Sequence, residues 1–322
     1  MTAPHLSQSP DLWDDTGLPL PTIWQPLFEI FLKHFVEFFP SISQQRMHDR
    51  LDSGTMSRFL ANTICALAAK HYTTSSFAPG TLSAAFVAKA QELAAPLIHL
   101  PATETVTGLV LLSWACYAQG SDSGLWQYSG MAIRMAVDIG INEVIEIYES
   151  PAHLIRCRHL WWSLFVVDRL VAFATGRLTA IPEEIVEIAL PDDMDFYPDP
   201  SDDMKESTLQ VEPVPFAFLV RLMVICGRLA NTLNGRRGRP TTLLNQSEMP
   251  LAAQLKQLQG ELSIFLLELP ANLGWSIENL RTHHTRNHGV SSGEDVAHDR
   301  ALFSVYTYGF TLSLYCSIDR NC

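Results

Sequence analysis

Two adjoining segments set the terms for the whole chain, because the first offers water only a narrow polar stripe and the second carries a long apolar seam. The first ends in Met131–Gly140, and the second runs from Ser150 to Gly176. At helical spacing, Gln127, Met131, Arg134 and Asp138 form one narrow stripe on the first segment, and nearly everything else is apolar or small. A helix of that pattern is covered on most of its circumference. Gly140 supplies a residue that turns left-handed and closes it. In the second segment Ser150 is placed to cap the first free amides, and Pro151 suits the first helical position, where no amide donor is needed. Its apolar seam runs Leu154, Cys157, Trp161, Leu164, Asp168, Val171 and Thr175. Asp168 therefore falls on a face that should be buried, and a lone buried carboxylate is costly. It needs a partner. The expectation is a buried ion pair that locks the two helices together, Arg134 with Asp168 or Asp138 with Arg169.

These residues resemble the middle homology region of the fungal zinc-binuclear-cluster transcription factors. There a helix reading roughly S-G-x-A-x-R-x-A-x-D-x-G-L precedes one reading R-R-x-x-W-W-x-L-F-x-x-D-R, followed by G-R-P. Here Ser129, Gly130, Ala132, Arg134, Ala136, Asp138 and Gly140 match the first pattern. Arg158, Trp161, Trp162, Leu164, Phe165, Asp168 and Arg169 match the second, and Gly176 with Arg177 matches the third. Ile141 stands in place of the Leu and Leu178 in place of the Pro, both apolar swaps. The weaker pattern extends from about Leu27 to Ser317. The resemblance implies an all-α fold, a large single helical domain of antiparallel packed helices with an acidic, proline-rich linker in the middle. It also implies a nuclear protein that modulates transcription, with no catalytic residues and no cofactor to carry over. The implied partners are transcription machinery or corepressor proteins, and DNA only indirectly or through a missing N-terminal module. A homodimer and a small-molecule effector are compatible with the family, and no membrane is expected.

Composition agrees with an extensive core: of 322 residues, 47% are hydrophobic and 17% charged. The net charge of -12 argues against a broad face for nucleic acid phosphates. Cys65, Cys116, Cys157, Cys226, Cys316 and Cys322 are scattered through apolar patterns, as reduced core residues are. None has the close spacing of the family's zinc cluster, so zinc is expected only in that separate module, absent here. The charge-free stretches Thr105–Ser121 and Ala301–Ile318 are too rich in Ser, Thr, Tyr or Gly for a membrane span and read as core helices.

In chain order, residues 1–26 read as an extended lead-in and 27–318 as the domain. Its expected helices are Leu27–Phe39, one starting at Asp52 or Ser53, Leu82–Ile98, one capped by Thr103, the organising pair, Phe216–Leu233, Leu251–Leu269 and Ala301–Ile318. The acidic linker covers about 182–213, a mobile loop about 281–295, and residues 319–322 form a tail at which truncation is expected.

Three clusters carry residue types that suit chemistry. His283, His284 and His288 hold an i, i+4 pair but no nearby carboxylate, which favours a solvated loop over a metal site. Asp202-Asp203-Met204-Lys205-Glu206 is superficially like the metal motif of terpenoid synthases, yet no second metal-binding motif accompanies it. Arg236, Arg237 and Arg239 around Gly238 and Pro240 suit a weak minor-groove or nuclear-import patch. The simpler reading is a helix C-terminus with arginines on its dipole. A transcription regulator without its own DNA reader is the reading these features favour, and an enzyme is not. The rivals are an all-helical enzyme of secondary metabolism and a helical scaffold.

Overall fold

The computed structural model describes residues 12–35, 39–72, 80–144, 150–192, 215–235, 250–271, 273–274 and 276. Among them lie nine α-helices and no strand beyond a single Trp13–Pro19 bridge, so the fold is all-α. The chain divides into two compact units, Met1–Gly140 and Ile141–Cys322.

Unit one is built around α3 (Arg58–Ala68), which packs on α1 (Pro21–His34), α4 (Thr81–Ala94) and α5 (Thr103–Ala118). Every residue of α3 from Phe59 to Ala68 is buried. Helix α6 (Asp122–Asp138) lies along α5. Small residues make the close approaches possible. A Cβ on Gly108 would stand 2.4 Å from the Phe59 ring, and one on Gly124 would stand 2.6 Å from the Cys116 Cβ.

The start of the domain differs from the sequence expectation. Residues 21–26 are not part of an extended lead-in, because α1 begins at Pro21 and runs through Pro26. An internal proline forfeits one helical bond and costs about 3 kcal/mol. Trp24, Leu27, Phe28 and Phe31, all no more than 2% exposed, offset that by sharing one buried face. Helix α2 (Gln44–Asp52) escaped the sequence reading altogether, since only Met47 on it is buried. Gly54, at φ +67°, follows it, and α3 is capped by Ser57, not by Asp52 or Ser53. Helix α4 stops at Ala94 because Pro96 breaks the amide ladder and leaves a short 3-10 turn over Ala95–Leu97. Thr103 is the first helical residue of α5 and makes no side-chain cap.

Unit two holds α7 (Pro151–Thr175), α8 (Pro215–Asn234) and α9 (Leu251–Glu268), with α8 packed on both others. The start signals read from sequence hold: the Ser150 hydroxyl accepts from the His153 amide at 3.1 Å. Gly140 (φ +74°) and Gly176 (φ +66°) both follow helix ends in the left-handed conformation. Helix α8 is long and apolar enough to cross a membrane by length and composition, but 67% of that stretch is buried inside the protein, as a core helix would be. The expected final helix Ala301–Ile318, the 281–295 loop and most of the acidic linker lie outside the described residues.

Candidate functional site: a charge pair that braces a strap

The centre of unit two is a charged pair with almost no access to water. Asp168 is 2% and Arg169 1% exposed. Adjacent helical residues point about 100° apart, so neighbours on a helix rarely face one another. Here they do, and α8 explains why. Arg169 passes over Gly227, where a Cβ would lie 2.8 Å from the guanidinium Nε and 3.0 Å from Cγ. The missing side chain gives Arg169 room to curl back, its guanidinium carbon 3.8 Å from the centre of the Phe165 ring. From there Arg169 Nη1 donates to the Asp168 carboxylate.

The rest of the carboxylate faces the strap that follows α7. Gly176 turns the chain, and the amides of Ala180 and Ile181 donate to Asp168 at 2.8 and 3.1 Å. Three donors on one carboxylate satisfy what burial would otherwise leave bare. Burial pushes the Asp168 carboxyl up from its ordinary value, and Arg169 and the two amides pull it back down. Burial likewise lowers the pKa of Arg169, with Asp168 opposing.

Side chains of α8 fasten the same strap from outside. Asn231 accepts from the Thr179 amide at 2.9 Å and donates to the Thr179 hydroxyl at 2.8 Å. Asn234 donates to the Arg177 carbonyl at 3.0 Å. Arg228 grips Glu183 through Nε and Nη2 and reaches Glu261 of α9 at 3.0 Å. Further along, the Asn142 side chain donates to the Ile185 carbonyl at 2.9 Å, and its backbone carbonyl accepts from the Glu187 amide at 3.0 Å. Part of the expected acidic linker is thus an ordered strap, with a 3-10 turn at Glu183–Ile185.

The expected interhelical lock is corrected by these contacts. Arg134 is exposed and donates to the Gly130 carbonyl of its own helix at 3.0 Å; Asp138 is also exposed. Asp168 and Arg169 take each other instead. The polar stripe of α6 faces water, so it had no buried charge to offer. The other motif residues divide by role. Trp161 and Trp162 are core, Trp162 meeting Phe165 edge to face at 5.3 Å, while Arg158 is exposed. Gly227, Asn231, Asn234 and Arg228 were missed by sequence reasoning. A glycine inside the apolar run of α8 was the one available signal.

Cys65, Cys116, Cys157 and Cys226 are buried, and none forms a disulfide. Burial raises the thiol of Cys65 well above its usual range and that of Cys226 to about 12, the opposite of a reactive or metal-binding thiol. Among the described residues no group of three or more His, Cys, Asp or Glu side chains could hold a metal ion. The histidine, Asp202–Glu206 and Arg236, Arg237, Arg239 clusters lie outside the described residues.

In this all-helical body the buried charges hold the protein's own backbone. The chain belongs to the fungal specific transcription factor domain family, whose model matches residues 22–263. It is 25% identical over 295 residues to the Zn(2)-C6 fungal-type transcription factor FTF1c of Fusarium oxysporum f. sp. lycopersici, covering 79% of this chain and 31% of that protein. Over 119 residues it is 28% identical to protein STB5 of Saccharomyces cerevisiae, covering 36% and 16%. An uncharacterized transcriptional regulatory protein of Schizosaccharomyces pombe is 27% identical over 179 residues, covering 52% and 22%. The chain spans about a third of the length of the Fusarium relative. No solved structure matches it.

Proposed function

We propose that this chain is the regulatory body of a nuclear transcription regulator, and that it contains no DNA reader and no catalytic centre of its own. The observation that carries the reading is the family match over residues 22–263, supported by relatives that are named transcription factors or transcriptional regulators. In this reading DNA and transcription machinery are reached through other modules or partner proteins. The Asp168–Arg169 knot sets the conformation of the strap, which lies on the surface of unit two with Glu183 39% exposed. A change in that strap is what a partner would sense. No step of the reading needs a metal or a cofactor.

The test is a tethering experiment. The full chain fused to an unrelated DNA-binding module should change reporter transcription several-fold, and Asp168→Asn should alter that change while the fusion stays nuclear and abundant. A reporter indifferent to the fusion would overturn the reading. The purified chain, at -12, should show no sequence-selective DNA binding at physiological salt.

A further inference from the structure

Helix α3 carries an asparagine where its pattern calls for an apolar residue. Asn62 is 0% exposed, on a helix buried from Phe59 to Ala68. A buried side-chain amide is costly unless its oxygen and its nitrogen are both bonded. Here both are given to a short hook formed by residues 12–20. The Asn62 Oδ1 accepts from the Trp13 indole N–H at 2.6 Å, and Nδ2 donates to the Gly17 carbonyl at 3.0 Å. A further contact, from Nδ2 to the Arg58 carbonyl at 2.8 Å, stays within the helix. Around the amide, the Trp13 ring meets Phe86 of α4 edge to face at 5.5 Å, and Arg58 donates to the Thr16 carbonyl at 2.9 Å. Gly17, at φ +86°, lies so close to Lys89 that an added Cβ would stand 3.1 Å from Cε.

The hook holds its own shape. The Leu20 amide donates to the Leu12 carbonyl at 3.0 Å and the Asp14 amide to the Leu18 carbonyl at 2.9 Å. Asp14 Oδ1 accepts from the Thr16 amide, the Thr16 hydroxyl and the Leu18 amide. Among the described residues, no backbone hydrogen bond joins the hook to α3 or α4. Its tip, Asp14 to Thr16, is exposed. A turn that is internally bonded, and fastened to the body only through side chains, can leave and return as a unit.

We propose that the cradle of Arg58, Asn62, Phe86 and Lys89 is a docking site for acidic, tryptophan-bearing turns of partner proteins, which the hook occupies in cis. Asn62 reads two things at once, an indole N–H and a backbone carbonyl four residues further on. Phe86 offers its ring to the same indole. Arg58 and Lys89 place cations beside a turn that carries Asp14 and Asp15, so charge complementarity selects an acidic occupant. Release of the hook bares the Asn62 amide to water instead of stranding it, and a second turn of the same chemistry remakes every bond. The cradle lies wholly in unit one and draws nothing from the Asp168 knot.

The experiment uses the full chain and, as probe, a fluorescein-labelled peptide of residues 12–20. Trp13→Ala in the chain should loosen the hook, and anisotropy should then show saturable capture of the peptide while α5 keeps its hydrogen-exchange protection. The wild-type chain should capture it about ten-fold more weakly, because the tethered hook competes at high effective concentration. Peptides carrying Trp13→Phe, which lacks the indole N–H, or Asp15→Lys, which opposes the two cations, should each bind roughly five-fold more weakly. Asn62→Leu added to Trp13→Ala should abolish capture. Loss of α5 protection in Trp13→Ala would make the hook an indispensable part of the fold and overturn the proposal. So would an intact Trp13→Ala chain that captures no peptide, wild-type capture as tight as that of Trp13→Ala, or equal capture of either altered peptide. Capture that survives Asn62→Leu would place the site elsewhere, and if that variant loses α5 protection the altered peptides decide alone. Wild-type dimers that dissociate on Trp13→Ala would give the cradle to a second copy's hook, which also overturns it.

Discussion

In unit one the buried hydroxyls of Thr63, Ser113 and Ser129 each donate to a carbonyl three or four residues back in their own helix. In unit two Asp168 reaches out of its helix to hold amides twelve and thirteen residues on. The longer polar contacts that reach the interior of unit one are neutral: Asn62 binds Trp13 and Gly17, and Ser83 binds the Ala66 carbonyl, while the exposed Arg58 donates to the Thr16 carbonyl. Its ion pairs, Arg50–Glu104 and Lys89–Glu92, are partly exposed. Unit one is therefore specified mainly by shape, the fit of Gly108 to Phe59 and of Gly124 to Cys116. Unit two adds a directional requirement, since the buried Asp168 carboxylate depends on three donors aimed at it. Shape packing is tolerant and graded, whereas a buried charge is satisfied or stranded.

The largest expected effect breaks the directional side. Asp168→Ala strands Arg169 and frees two amides, and should destabilise unit two by about 3–5 kcal/mol in chemical denaturation. Asp168→Asn, which keeps an acceptor, should cost less. An effect of Asp168→Ala no larger than that of a surface substitution would remove the contrast between the units.

Next come the glycines, which test shape in both units. Gly108→Ala forces a methyl against the buried Phe59 ring, and Gly227→Ala forces one against the Arg169 stem. Each should cost roughly 1–3 kcal/mol. A double-mutant cycle sharpens the comparison. Gly227→Ala should couple to Asp168→Asn, because both act through Arg169, while Gly108→Ala should be additive with it. Additivity in both cases would show that Gly227 acts by shape alone.

A smaller change is expected at the rim of the strap. Arg228→Ala removes contacts to Glu183 and Glu261, but the three side chains are 28–45% exposed, so the loss should be ~0.2–1 kcal/mol and shrink in high salt. A salt-independent loss several times larger would make the rim, not the Asp168 knot, the principal fastening.

The smallest effect is in unit one. The Thr16 hydroxyl, then the amides of Leu18, Thr16 and Gly17, hold the Asp14 carboxyl below its ordinary 3.8. Because the folded pKa is depressed, the turn's contribution is present above 3.8 and is lost as pH falls through the lower folded value. An NMR titration should place the Asp14 midpoint below 3.8, with the Thr16 and Leu18 amides moving together. A midpoint at or above the ordinary value would detach the carboxylate from this turn.

The elements most legible in the sequence were those with strong local punctuation. Ser150-Pro151 and Gly176 bracket α7, and the ends of α8 and α9 fall within a residue of those read from periodicity. Elements without such signals were misread: α2 buries one residue, and Pro26 looked like a boundary although the face around it is apolar enough to carry the helix through.

At the candidate site, the burial of Asp168 was legible because it sits on an apolar seam, and a seam is a local periodic property. The identity of its partner was not. That depended on a glycine some sixty residues later, on the curl this permits Arg169, and on amides of a strap whose path periodicity does not encode. The sequence by itself determined the well-punctuated helices, the burial of Asp168 and the family. Only the tertiary structure decided that the charges of α7 brace the strap, because hydrogen-bond partners are fixed by through-space geometry while helical faces are fixed by spacing along the chain.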